Sequence, residues 1–119
     1  MPIIQVMGVP EEIQGLELLM DKLRSEAAKI KELGLSANDV TVFFPPDLVK
    51  DGLGEEIIVF VQGLFKRPNR TPKVRQELAE TLALAVKTFF KKILPQCKMI
   101  EVFVTEFDPS KDGFAALRL

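Results

Sequence analysis

Residues 56–72, Glu-Ile-Ile-Val-Phe-Val-Gln-Gly-Leu-Phe-Lys-Arg-Pro-Asn-Arg-Thr-Pro, decide the fold, because here a strand-loop-helix pattern begins for the second time. Glu56 to Val61 is a β-branched and aromatic run that reads as a strand, and Gly63 to Arg70 reads as a loop. Thr71-Pro72 then opens a helix, threonine serving as N-cap and proline filling the first helical position, where no amide donor is needed. Val74, Leu78, Leu82, Ala85 and Phe89 continue as one apolar face, Lys91-Lys92 sit near the helix's negative end, and Pro95 lies beyond it. Met99 to Phe107 is the last strand, and a turn from Asp108 to Gly113 leads to a short tail.

The same order precedes this stretch. Residues 2–7 read as a strand, and Gly8 to Glu12 turn into a helix with a proline and acids at its positive end. Ile13, Leu16, Leu19, Leu23, Ala27, Ile30 and Leu33 recur at helical spacing, and Gly34 is the natural stop. Val40 to Phe44 is a strand closed by Pro45-Pro46, and Asp47 to Glu55 is a loop or lid-like connection. The reading is an α+β fold of two tandem β-α-β units, about 2–44 and 56–107, in one domain spanning 1–119. Right-handed crossovers place both helices on one face of a four-stranded mixed sheet. Ile3-Ile4, Val42 to Phe44 and Ile57 to Val61 are apolar on consecutive residues, hence on both sheet faces, so the second face calls for a cover, most simply a second copy.

Composition narrows the chemistry. The chain has 119 residues, 47% of them hydrophobic, with 16 basic and 17 acidic side chains and a net charge of -1, which favours a folded core and argues against nucleic acid as partner. The single cysteine, Cys97, forms no intrachain disulfide; the start lacks a signal-peptide pattern and no apolar run is long enough to span a bilayer, so a reducing cytoplasm is expected and a membrane is not. Histidine, tyrosine and tryptophan are absent, which removes Ser/His/Asp and Cys/His catalysis and histidine-based metal sites. No metal or cofactor is expected, and catalysis falls to carboxylates, Lys, Arg, Cys97 or the chain terminus.

Pro2 directly after Met1, the following Ile-Ile-Gln-Val, the two β-α-β units, the loop-to-helix sequence Asn69-Arg70-Thr71-Pro72 and the late Phe-Asp-Pro-Ser-Lys-Asp-Gly-Phe together resemble the tautomerase superfamily, which includes 4-oxalocrotonate tautomerase and macrophage migration inhibitory factor. Within it the layout is most similar to a branch known by a domain of unknown function. The resemblance implies removal of Met1, Pro2 as general base in keto-enol proton transfer on a small keto acid or aromatic enol, and a homotrimer. It also implies Arg70 as the binder of the substrate anion. Read from the residues alone, Phe103 is an apolar wall for a pocket around Pro2, with Phe60 and Phe114 as further wall candidates, against the usual place of a strand phenylalanine in the core. Glu11-Glu12 and Thr41 stand where members of the family often carry arginine, which weighs against a dicarboxylate substrate. Two alternatives stay open: a catalytically silent oligomer that binds a small ligand or protein on the same scaffold, and a ferredoxin-like regulatory ligand module. Lys66 and Arg67 read as solvated loop residues, Glu11 and Glu12 as first-turn acids, and Cys97 as an incidental thiol.

Overall fold

The computed structural model describes residues 1–49 and 54–119; the middle of the Asp47 to Glu55 connection, residues 50–53, lies outside them. The elements are β1 (Ile3–Met7), α1 (Leu16–Lys29), β2 (Thr41–Phe43), β3 (Glu56–Phe65), α2 (Pro72–Phe90) and β4 (Met99–Phe107), with short 3-10 turns at Lys31–Leu33 and Ala37–Asp39 between α1 and β2. The strands form one mixed sheet in the order β2-β1-β3-β4. β1 runs parallel to β2 and β3 parallel to β4, while β1 and β3 meet antiparallel at the centre, so two β-α-β units join along one seam.

Alternation decides which face is covered. Ile4, Val6, Val42, Ile57, Val59 and Val61 are buried on one side and join Leu19, Leu23, Leu78, Leu82 and Phe90 of the two helices in a single apolar cluster. Each such side chain contributes about 1.5–3 kcal/mol relative to exposure. On the opposite face the register aligns Phe43, Gln5, Phe60 and Phe103 in one row across all four strands. That face is open: Phe43 is 49%, Phe103 47% and Met99 54% exposed.

The second helix starts as expected, Thr71 Oγ1 accepting from Val74 N at 3.2 Å with Pro72 in the first turn. The first does not. Pro10 to Ile13 form a turn, Ile13 N donating to Pro10 O at 3.3 Å, and the helix begins only after Gly15, whose φ of 79° is left-handed. Val9 and Pro10 are buried rather than helical, and the first-turn acid is Glu17, not Glu11 or Glu12. Gly63 does not end β3 either; it sits at φ 72° in a register shift between Val61 and Leu64, and the strand continues to Phe65. In α2 the fully buried phenylalanine is Phe90, with Phe89 edge-on against it at 5.0 Å.

Candidate active site

At the start of β1 the chain enters the sheet beside β2, Thr41 N donating to Pro2 O at 3.1 Å, and Pro2 is buried. The bulge at Gly63 makes room for it: a Cβ there would lie 3.3 Å from the Met1 carbonyl oxygen. Pro2, Asp39, Gly63, Phe65, Arg67 and Arg70 border a cavity of about 300 Å³. Phe114 of the tail completes its aromatic wall, lying edge-on to Phe65 at 4.9 Å.

Arg67-Pro68-Asn69-Arg70 form a turn closed by Arg70 N donating to Arg67 O at 3.0 Å, which brings both guanidinium groups to the cavity. Arg70 is 4% exposed. Its Nε and Nη2 donate to Leu33 O at 3.0 and 2.7 Å, and its Nη1 donates to Phe65 O at 2.7 Å. Leu33 ends the 3-10 turn that follows α1, so the cation caps a carbonyl that the helix end leaves unpaired, together with the carbonyl at the end of β3. Desolvation first, and repulsion from Arg67 second, lower the Arg70 pKa. A guanidinium offers five N–H donors, so this clamp leaves two for a ligand. Arg67, exposed at the cavity edge, keeps a more accessible fork.

Asp39 supplies the opposite charge. Ser36 N and Oγ donate to its Oδ2 at 2.8 and 3.1 Å, a reciprocal cap on the turn before β2. The backbone bond from Ser36 and then its hydroxyl hold the Asp39 carboxyl below the usual range against the opposing effect of desolvation, with a further contribution from the chain's amino terminus. A fixed carboxylate therefore faces the start of the chain.

No family model and no curated protein sequence matches the chain. Solved structures do. A fused 4-OT in an asymmetric trimer superposes with a TM-score of 0.64 at 12% identity, covering 94% of this chain and 91% of that one. For 5-carboxymethyl-2-hydroxymuconate delta-isomerase the TM-score is 0.66 at 14% identity, over 99% and 88% of the two chains. Malonate semialdehyde decarboxylase gives 0.59 at 17%, over 98% and 92%.

The chain has the tautomerase-superfamily fold.

On this tautomerase fold, Pro2 and Arg70 come together at one cavity, with Arg70 also committed to backbone carbonyls. Phe103 is elsewhere: it stacks on Phe60 at 5.6 Å on the open sheet face and borders a separate recess with Pro72 and Arg75. The register explains this, because Phe60 and Phe103 are level with Gln5 rather than with Pro2. Of the three phenylalanines expected near Pro2, Phe114 is the one lining the cavity, joined by Phe65. Arg67 and Asp39 were not anticipated as site residues; the Ser36-x-x-Asp39 capping pattern and the turn-forming Pro68 were the available signals. Among the described residues no helix is long and apolar enough to cross a membrane and no group of metal-ligating side chains is found.

Proposed function

We propose that the whole chain, 1–119, acts as a cofactor-independent keto-enol tautomerase on a small keto acid or aromatic enol, in the cytoplasm, with Pro2 as general base once Met1 is removed. The observation carrying this is the burial of Pro2 in a cavity that also presents two arginines and two phenylalanine walls. A secondary amine among apolar rings and cations has its protonated form disfavoured, so it can accept a proton near neutral pH. It takes the proton from the carbon beside the carbonyl and returns one to the other end of the enolate. Arg67, with the two free donors of Arg70, holds the carboxylate and the developing oxyanion. One accessible arginine and a cavity of about 300 Å³ suit a small monocarboxylate. Similar folds include symmetric and asymmetric trimers of fused 4-OT, which supports a homotrimer built through the open sheet face.

The test is intact mass of untagged protein, followed by phenylenolpyruvate tautomerisation by wild type and Pro2→Ala. Expected are loss of Met1 and a drop of at least about a hundredfold in kcat/KM for the variant. Retained Met1, which leaves Pro2 nitrogen an amide, together with no turnover sinks this reading in favour of a ligand-binding scaffold.

Asp39 favours a second reading. A carboxylate facing the amine stabilises its protonated form, and a protonated Pro2 acts as an acid; malonate semialdehyde decarboxylase, with its decarboxylase and hydratase activities, is among the similar folds. The pH profile separates the two. If the base reading holds, activity rises with pH through the amine pKa, and Asp39→Asn moves that limb to lower pH because the removed charge had raised it. If the acid reading holds, activity falls as pH rises and Asp39→Asn brings that fall to lower pH.

A further inference from the structure

The short link from α2 to β4 builds a second recess, at the opposite end of the sheet from Pro2. Leu94 N donates to Phe90 O at 2.8 Å, Cys97 N to Leu94 O at 3.0 Å and Lys98 N to Glu55 O at 2.7 Å, so the link is pinned between helix and strand. Met99 pairs with Glu56 where the β3/β4 register begins, whereas Pro2 precedes the Ile3–Gln62 pair toward the far end of β3. Between the flank of α2 and the start of β4 lies a recess of about 430 Å³. Small-ligand sites run to about 300–1,000 Å³. The recess shares no lining residue with the Pro2 cavity.

Its lining has two kinds of side chain. Ala83 and Leu84 of α2, with Cys97, Met99 and Ile100 of the link and strand, form the apolar part. None is aromatic, and the Cys97 thiol already donates to Met99 O at 3.6 Å, so an occupant finds there neither a ring to stack on nor a strong hydrogen bond. Lys87 and Lys98, both exposed, form the charged part, and no carboxylate lines the recess among the described residues. Lys98 also borders the recess that holds Asp47, Glu55 and Glu56, yet among the described residues neither lysine makes an ion pair. Lys91 and Lys92, just past the end of α2, add to the positive field.

We infer that this recess binds a medium-chain alkyl carboxylate, its head group between Lys87 and Lys98 and its chain laid over Leu84 and Ile100. The aliphatic and sulfur side chains reward burial alone, and each methylene taken fully out of water strengthens binding roughly fourfold. They select an alkyl body over an aromatic or polar one. The lysines select the other end: an ammonium is a point charge without arginine's planar fork, so it asks for an anion within reach, which a terminal carboxylate supplies. An alcohol of equal length forfeits both cations, and a short acid such as acetate forfeits the apolar contact. The site does not depend on the chemistry proposed for Pro2.

Calorimetric titration of the untagged protein with octanoate, 1-octanol and acetate at low salt tests this, with amide chemical shifts locating the ligand. Expected are one octanoate per chain, shifts centred on Leu84, Lys98 and Ile100, and much weaker binding of the other two probes. The double variant Lys87→Gln/Lys98→Gln, which changes only exposed side chains, should bind octanoate about tenfold more weakly, and added salt should weaken wild type in the same direction. Arg67→Gln should bind octanoate as wild type does. Equal affinity for octanoate and 1-octanol, or an unchanged double variant, overturns the anion site. Binding weakened by Arg67→Gln and not by the lysine changes puts the ligand in the Pro2 cavity and overturns the second site. Shifts spread over Phe43, Phe60 and Phe103 show adsorption to the open sheet face, and the absence of saturable binding does away with the inference outright.

Discussion

Arg70→Met is expected to lower the unfolding free energy by about 3–5 kcal/mol, read as a shift in urea midpoint at unchanged slope. The guanidinium is buried and makes three short bonds to two backbone carbonyls. Methionine fills much of the volume but donates nothing, so Leu33 O and Phe65 O lose their partner inside the protein, at a cost of about 1–3 kcal/mol for each group left unpaired. Against a typical total of about 5–15 kcal/mol, that is a large share of what keeps the chain folded. Arg70→Lys should recover only part, because a single ammonium cannot reach along two directions with a planar fork. If both variants unfold within about 0.5 kcal/mol of wild type, the clamp is not structural and the whole guanidinium is available to a ligand.

Gly8→Ala should be comparably damaging, at about 3–5 kcal/mol, through backbone rather than side-chain loss. Gly8 follows the last residue of β1 at φ 88°, where an L side chain costs roughly 1–2 kcal/mol before any contact is considered. A Cβ there would overlap the carbonyl oxygen of Glu56, and backbone of a central strand cannot swing aside as a flexible side chain could. The Gly8 carbonyl also accepts from Gly54 N at 2.9 Å, so displacement pulls on the connection into β3. Thermal unfolding compares it with Gly113→Ala, where nothing lies within 4 Å of the added carbon and little change is expected. Equal stability of the two variants would show that β1 and β3 slide past one another more freely than their pairing implies.

The strands, the second helix and the order of the elements along the chain were legible because each rests on local chemistry: β-branched runs for β1, β2 and β4, and Thr71-Pro72 for the start of α2. The start of α1 was not. Pro10-Glu11-Glu12 has the composition of a helix opening, but burial of Val9 and Pro10 and the left-handed Gly15 override it. Gly63 was read as a loop because a bulge and a strand end share the same residue type. The cavity was harder still. Pro2 comes to one cavity with Asp39 through the parallel register of β1 with β2, and with Arg67 and Arg70 through the end of β3, a gathering of residues far apart in sequence. Arg70 was recognisable as a binder of oxygen atoms, but nothing local says that its first customers are the protein's own carbonyls.

The β1/β3 seam gives the two repeats different jobs. Both enter the sheet with an equivalent strand, yet β3 begins in mid-chain, where the nitrogen of Glu56 is fixed in a peptide bond. On the proposed mechanism the reactive nitrogen belongs to the first unit, which supplies Pro2 and Asp39 to the cavity. The second unit contributes Gly63, Phe65, Arg67 and Arg70, the clearance, the wall and the positive charge. On the proposed mechanism the two units would thus divide the labour rather than repeat it, one half supplying the reactive nitrogen and the other the clearance, the wall and the positive charge.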